Sequence, residues 1–107
     1  MPFLRHVVMW TLNDPADAAR FKAVLESCQA IVPGILEFEV GIRKPGLDAS
    51  CDVVLVSTFV ERAALEAYLQ HPVHRDVAAV LGPMRRERTV LDYEIPSADV
   101  PPADAQT

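Results

Sequence analysis

The chain has 107 residues, half of them hydrophobic, and a formal net charge of −5. This length supports one domain, and the hydrophobic share excludes a disordered chain. The acidic balance excludes a typical nucleic-acid binder, whose affinity comes mainly from cationic contacts with phosphate. No apolar stretch is close to the length of a membrane-spanning helix. Arg5 and His6 stand where a signal peptide would have its apolar segment, so we predict no export signal. Cys28 and Cys51 lie outside any paired motif, so we expect a cytoplasmic protein with reduced thiols and no membrane partner.

Residues 4–12 are rich in β-branched and aromatic types, which predicts a first strand. Period two places five of them on one face: Leu4, His6, Val8, Trp10 and Leu12. Asp14 then offers an N-cap oxygen and Pro15 suits the first helical position. Apolar residues then recur at intervals of three and four residues, which predicts an amphipathic helix that ends at about Val32, before Pro33-Gly34. Cys28 belongs to the buried side of this helix.

The remaining elements follow from strand patterns and helix breakers. Residues 35–42 and 52–59 read as strands joined by a long hairpin, and four consecutive aliphatics give the second an inner position. A helical region spans about residues 61–86, with breaks at His71-Pro72 and Gly82-Pro83, so that Arg85 to Arg88 forms a solvated helix end. Residues 89–95 form the last strand. We expect one domain over residues 1–95 and a flexible tail over residues 96–107.

The order strand, helix, strand, strand, helix, strand is the split βαβ pattern of an α+β, ferredoxin-like domain. It places both helices on one face of a four-stranded antiparallel sheet. Apolar residues nonetheless occupy both strand faces, leaving a bare patch of roughly 400 Å², about the largest that a monomer usually exposes. Face-to-face homodimerisation would cover this patch, and the space enclosed could form a ligand pocket.

One seven-residue run, from Tyr68 to His74, concentrates groups capable of acid/base chemistry. Proline inside it predicts a helix end joined to a helix start, with His71 near the N-cap and His74 in the first turn. Unpaired N–H groups and the helix dipole disfavour a cationic ring there, so each imidazole should favour its neutral form. Two histidines three apart could share a metal, but a stable site needs a third ligand, and no residue stands at a suggestive spacing.

Four motifs in order resemble the stress-responsive dimeric α/β-barrel (Dabb) family, and the resemblance covers about residues 4–95. They are Arg5-His6-Val7-Val8, Ile31-Val32-Pro33-Gly34, Leu65-Glu66-Ala67-Tyr68 leading into His71-Pro72-Val73-His74, and Val90-Leu91-Asp92-Tyr93. The resemblance implies a homodimer whose two sheets close a barrel. It does not imply one reaction, because the family includes stress-associated proteins, bacterial proteins without known activity, and cofactor-independent polyketide cyclases that close an aromatic ring.

The resemblance to the cyclases implies that Tyr68 and His74 are a catalytic pair and that His6 borders the pocket. A neutral His74 could remove a proton next to a carbonyl, while the Tyr68 phenol stabilises the developing oxyanion. The cyclases carry a further histidine at the start of the third strand, where this chain has Cys51-Asp52-Val53-Val54. Without that histidine, fewer polar groups remain to orient a multiply oxygenated ligand. We therefore expect a pocket for a small apolar or aromatic ligand, lined also by Trp10, Val53 and His71, and we expect no cofactor or metal.

A structural interpretation of the same residues stays open. His71 could cap a helix, His74 could hydrogen-bond across the junction, and the Tyr68 ring could pack in the core. The protein would then be a non-catalytic stress or assembly protein, with His6 and Trp10 as core residues satisfied by their neighbours. Ligand binding and turnover distinguish the two hypotheses.

Overall fold

The computed structural model describes residues 2–96. The strands are β1 (Phe3–Leu12), β2 (Ile35–Ile42), β3 (Val53–Phe59) and β4 (Arg85–Ile95), and the helices are α1 (Ala18–Glu26), α2 (Arg62–Gln70) and α3 (Pro72–Leu81). Short 3₁₀ turns cover Pro15–Asp17 and Gly82–Met84. The strands form one antiparallel sheet in the order β2-β3-β1-β4. This arrangement confirms the predicted ferredoxin-like α+β fold. The predicted tail lies outside the described residues, except for Pro96.

The helix-facing side of β1 is the centre of the core. His6, Val8, Trp10 and Leu12 are all buried there, as their period-two spacing predicts. β3 lies between β2 and β1, which confirms its predicted inner position. Helix α1 contributes Phe21, whose ring lies 5.0 Å from that of Trp10 between centroids. The buried strand residues thus lie mainly on β1 and β3, whereas β4 is exposed except at Ile95.

Helix α1 ends at Glu26, six residues before the predicted boundary at Val32. The Ser27 hydroxyl donates to the Val24 carbonyl at 2.6 Å, a local bond that competes with continued helix. The next backbone bonds span three residues, as in turns. Cys28 is nevertheless fully buried, as predicted. Apolar spacing thus identified the buried positions correctly but overestimated the length of the helix.

The predicted breaks in the second helical region are both present. Helix α2 gives way to α3 at His71-Pro72, and α3 ends before the turn at Gly82-Pro83. However, β4 begins at Arg85, four residues earlier than predicted. The segment from Arg85 to Arg88 is therefore strand and not a helix end, because it pairs with β1 opposite Leu12 and Trp10. Charged residues are well tolerated on such an edge strand.

The predicted stop at Pro33-Gly34 is a tight turn that requires glycine. Gly34 has a φ of +91°, and a Cβ there would lie 2.9 Å from Cγ1 of Val60. The Gly34 carbonyl also accepts a bond from the Val60 backbone N–H at 2.9 Å. This turn joins the end of the α1 region to the start of β2 and holds it against the end of β3.

The sheet face turned away from the helices carries exposed apolar side chains. Met9 on β1 and Leu91 and Tyr93 on β4 belong to this outer face, and Leu91 is 63% exposed. Arg5 and Glu37 form an ion pair on the same face at 3.2 Å. Within residues 2–96, no helix combines the length and the apolar character needed to cross a membrane.

Candidate active-site cavity

A cavity of about 280 Å³ lies between the sheet and the helices. Its apolar wall combines side chains of β1, β3, α1 and α3, namely Val8, Trp10, Leu25, Leu55, Val77 and Leu81. Its polar groups are His6 from β1, Tyr68 from α2, His74 from α3, and Arg85 and Arg88 from β4. An apolar wall combined with a few convergent polar groups is typical of small-molecule sites, and this volume lies just below their usual range of about 300–1,000 Å³.

The structure brings four of the six predicted site residues together at this cavity: His6, Trp10, Tyr68 and His74. It does not bring Val53 or His71 there. Val53 is buried and pairs with Trp10 across β1 and β3, but it does not line the cavity. The Nδ1 atom of His71 accepts a bond from the Val73 backbone N–H at 3.1 Å, so this ring is the N-cap of α3.

His74 lies in the first turn of α3, edge-on to Tyr68, with 4.7 Å between the ring centroids. Burial lowers the pKa of His74, and the neighbouring His6 and Arg88 lower it further, while the Leu69 backbone acts in the opposite direction. The sequence predicted a neutral ring from the helix N-terminus. The direction agrees, but burial is the main cause.

Tyr68 is fully buried in a cluster of rings. Centroid separations are 5.2 Å to Phe59, 6.3 Å to His6 and 6.4 Å to Phe38. Burial raises the pKa of Tyr68, and the nearby Cys28 raises it further, so the phenol keeps its proton. No group among residues 2–96 has the geometry to hydrogen-bond the Tyr68 hydroxyl, Cys28 included.

His6 is held by a carboxylate that the sequence did not identify as part of the site. Asp92 pairs with His6 in the β1–β4 register, and its Oδ1 lies 2.5 Å from Nδ1 of the ring. Because a carboxylate accepts, Nδ1 carries the proton, and Nε2 has no hydrogen-bond partner among residues 2–96. Asp92 belongs to one of the four family motifs, but the sequence did not show that it contacts His6. That contact depends on the pairing of two strands whose residues are 86 positions apart. Within residues 2–96, no three His, Cys, Asp or Glu side chains are grouped to hold a metal.

Arg85 and Arg88 are the other site residues that the sequence did not identify. Both line the cavity from β4, next to the α3 end that carries Leu81. The sequence prediction missed them because it assigned their segment to a helix, and a helix assignment does not show which face of the sheet their side chains occupy. The alternation of β4 from Arg88 through Val90 to Asp92 is the signal that would have placed Arg88 on the face of His6. Arg85 does not follow this alternation, so the sequence held no such signal for it.

The sheet order, the helices on one face and the cavity between them define a ferredoxin-like α+β protein. The family profile described as "Stress responsive A/B Barrel Domain" (Dabb) matches residues 4–95. The chain therefore belongs to the Dabb family. No curated protein of established function matches it significantly.

Three solved structures illustrate the fold. A dimeric ferredoxin-like protein of unknown function from Thermobifida fusca has a TM-score of 0.77 and 22% identity, covering 88% of this chain and 92% of its own. A dimeric protein of unknown function from Bacteroides fragilis has a TM-score of 0.73 and 26% identity, covering 87% and 96%. A Dabb-family protein from Mesorhizobium loti has a TM-score of 0.73 and 22% identity, covering 90% and 98%. These likenesses support the fold and leave the reaction open.

Proposed function

We propose that this protein is a homodimer that binds a small, largely apolar or aromatic molecule in the cavity and removes a proton next to its carbonyl group. The reaction is of the cyclase or isomerase type and uses no cofactor. The observation that carries this proposal is the contact between His74, whose pKa is lowered, and Tyr68 in the wall of an apolar cavity.

His74 acts as the base. A ring that stays neutral keeps a nitrogen lone pair available, and burial favours that state at neutral pH. A bound ligand that packs against the apolar part of the wall would shield its own reacting carbon from water, which would strengthen the electrostatic effect of the surrounding groups. General base catalysis of this kind contributes about 10²- to 10⁴-fold to rate.

Tyr68 donates to the ligand oxygen as it becomes negative. Its hydroxyl keeps its proton and lacks a partner within the described residues. An unsatisfied buried hydroxyl costs about 1–3 kcal/mol, and a hydrogen bond from Tyr68 to an incoming carbonyl oxygen would offset that cost. Asp92 fixes the orientation of His6, whose Nε2 adds a second polar contact for the ligand.

Homodimerisation is supported by the outer face of the sheet and by the dimeric relatives from Thermobifida fusca and Bacteroides fragilis. Leu91, Met9 and Tyr93 lie there exposed, on the side away from the helices. Pairing two such faces removes this apolar surface from water. The sequence predicted a ligand pocket between the paired sheets, whereas this cavity lies on the opposite, helix-covered side of the sheet.

Base catalysis can be tested without knowing the natural substrate. The protein is incubated with acetophenone in D₂O, and exchange of the methyl protons is followed by NMR. We expect exchange faster than in buffer, a loss of about 10²-fold or more in His74→Asn, and a smaller loss in Tyr68→Phe. His71→Asn is the matched control, because it changes a histidine outside the cavity and keeps a good N-cap residue.

The result that contradicts the proposal is wild-type exchange no faster than in buffer, or equal exchange by wild type and His74→Asn. Circular dichroism and thermal unfolding check that each variant is folded. The exchange rate measures proton removal by the base directly, so the assay does not depend on the size or functional groups of the physiological ligand.

A non-catalytic role for the same residues is favoured by one observation, the complete burial of Tyr68. Its ring packs against Phe59 and Phe38, and Cys28 lies near its hydroxyl. Under this alternative the Dabb fold serves assembly, and Tyr68→Phe leaves exchange at the buffer rate while changing only stability. The exchange assay therefore distinguishes the two functions.

A further inference from the structure

We propose that Arg85 and Arg88 form a subsite for the carboxylate group of an aromatic acid whose ring fills the apolar part of the cavity. This inference rests on the proposed ligand-binding role of the cavity and adds the charge of the ligand. The sequence predicts an apolar or aromatic ligand, and two guanidinium groups at the same cavity favour an anionic group on that ligand.

A strand irregularity brings both arginines to one face. Residues three apart on a regular strand point to opposite sides of the sheet. In β4, Arg88 pairs with Trp10 and Glu87 with Thr11, but the register then shifts and Leu12 pairs with Arg85. Arg86 is the additional residue of this bulge, so Arg85 returns to the face that carries Trp10 and Leu12. Bulges often redirect side chains next to functional sites.

Within residues 2–96, neither guanidinium pairs with a carboxylate. Across residues 2–96, no carboxylate lies within 4.0 Å of Arg85 or Arg88, and the three ion pairs found there join other residues. Glu87, between the two arginines in sequence, borders the outer face with Met9 and Thr11. Asp92 is engaged by His6. In a chain with 15 acidic and 10 basic residues, two uncompensated cations at one cavity favour an anionic ligand.

The shape of the site indicates the class of anion. Guanidinium groups donate in a planar fork that matches a carboxylate through paired, charge-assisted bonds. Behind the arginines lie Val8, Leu55 and Val77, which suit the face of a ring. The volume of about 280 Å³ favours a single ring over a fused polycycle. A carboxylate at Arg88 would also lie close to His74, which places the rest of the ligand beside the proposed base.

The test compares benzoate with benzamide, which has nearly the same shape and no charge. Binding of each compound to the full chain is measured by calorimetry or NMR titration. We expect benzoate to bind at least tenfold more tightly, and the Arg85→Gln/Arg88→Gln double variant to abolish that difference. Arg86→Gln is the matched control, because it removes the adjacent arginine, which does not line the cavity. Added salt should reduce the benzoate advantage, since both arginines are exposed.

The outcomes separate this inference from the proposed function. Equal affinity for benzoate and benzamide overturns the carboxylate subsite and leaves the cavity as a site for neutral ligands. Tighter binding of phenyl phosphate than of benzoate overturns the choice of carboxylate in favour of a phosphate group. Absence of binding by all three compounds overturns the subsite, while the acetophenone exchange assay still tests the base independently. Retention of the benzoate advantage in the double variant assigns recognition to other residues and overturns the proposal.

Discussion

Strands β3 and β4 lie on either side of β1 and differ in nearly every physical respect. β3 pairs on both edges, and all its side chains are buried or half-buried. β4 pairs with β1 alone, and of its eleven residues only Ile95 is buried. Yet β4 supplies Arg85, Arg88 and Asp92 to the candidate site. Charged groups therefore reach the cavity from the strand that the helices leave uncovered, because exposed side chains there keep contact with water.

The largest contrast between these strands should appear in stability. Phe59 at the end of β3 is fully buried, so Phe59→Ala should lower the free energy of unfolding by about 3–5 kcal/mol. Val90 on β4 is 44% exposed, and Val90→Ala should cost about 0.5 kcal/mol or less. Urea denaturation at one protein concentration measures both, since unfolding of a dimer depends on concentration. Equal losses would show that β4 is as fully covered as β3.

The outer face of β4 should decide assembly. Leu91→Asp places a charge where the proposed homodimer buries an apolar side chain, and loss of that burial alone is worth about 1.5–3 kcal/mol, roughly 10- to 100-fold in the dissociation constant. Light scattering at micromolar concentration should report a dimer for the wild type and monomer for this variant. Val80→Asp is the control, because Val80 is 47% exposed but lies on α3. A dimer that persists in Leu91→Asp would contradict face-to-face pairing through β4.

The helix junction offers a smaller contrast between its two histidines. His71→Ala removes the side-chain acceptor for the Val73 N–H and should cost about 0.5–2 kcal/mol of stability. His71→Asn keeps a capping oxygen and should restore most of that loss. Benzoate affinity should not change in either variant, since His71 does not line the cavity. Thermal unfolding and calorimetry check the two expectations, and a loss of benzoate binding in His71→Asn would place this ring in the ligand site after all.

The smallest expected effect is a pH dependence of stability from His74. Burial lowers the pKa of His74 below its ordinary value of 6.5. Above that value both folded and unfolded states hold the ring neutral. As pH falls from 6.5 towards the lowered pKa, the unfolded chain binds the proton first, so stability is lost.

Urea denaturation between about pH 8 and about pH 5.5 should show a steeper loss for the wild type than for His74→Asn, which lacks the titrating ring. His71→Asn serves as the reference for removal of an imidazole outside the cavity. A wild-type slope equal to that of His74→Asn would show that the ring protonates as readily in the folded protein as in the unfolded chain.

Local patterns in the sequence determined the order of the elements, the buried face of β1 and the break at His71-Pro72. Period two, period 3.6 and the missing N–H of proline act over a few residues, so they can be read without a partner. The resemblance to the cyclases, and not a local pattern, grouped His6, Tyr68 and His74 in one predicted site, and the structure places all three at the cavity.

Only the tertiary structure decided the electrostatics of the cavity. The His6–Asp92 contact depends on the β1–β4 register, and the common direction of Arg85 and Arg88 depends on one bulge in that pairing. A one-residue shift in register moves every side chain of a strand to the other face, and no local pattern reports which register is formed. Burial of His74 likewise results from packing between elements distant in sequence, which is why its neutrality was predicted in direction but attributed to the helix end.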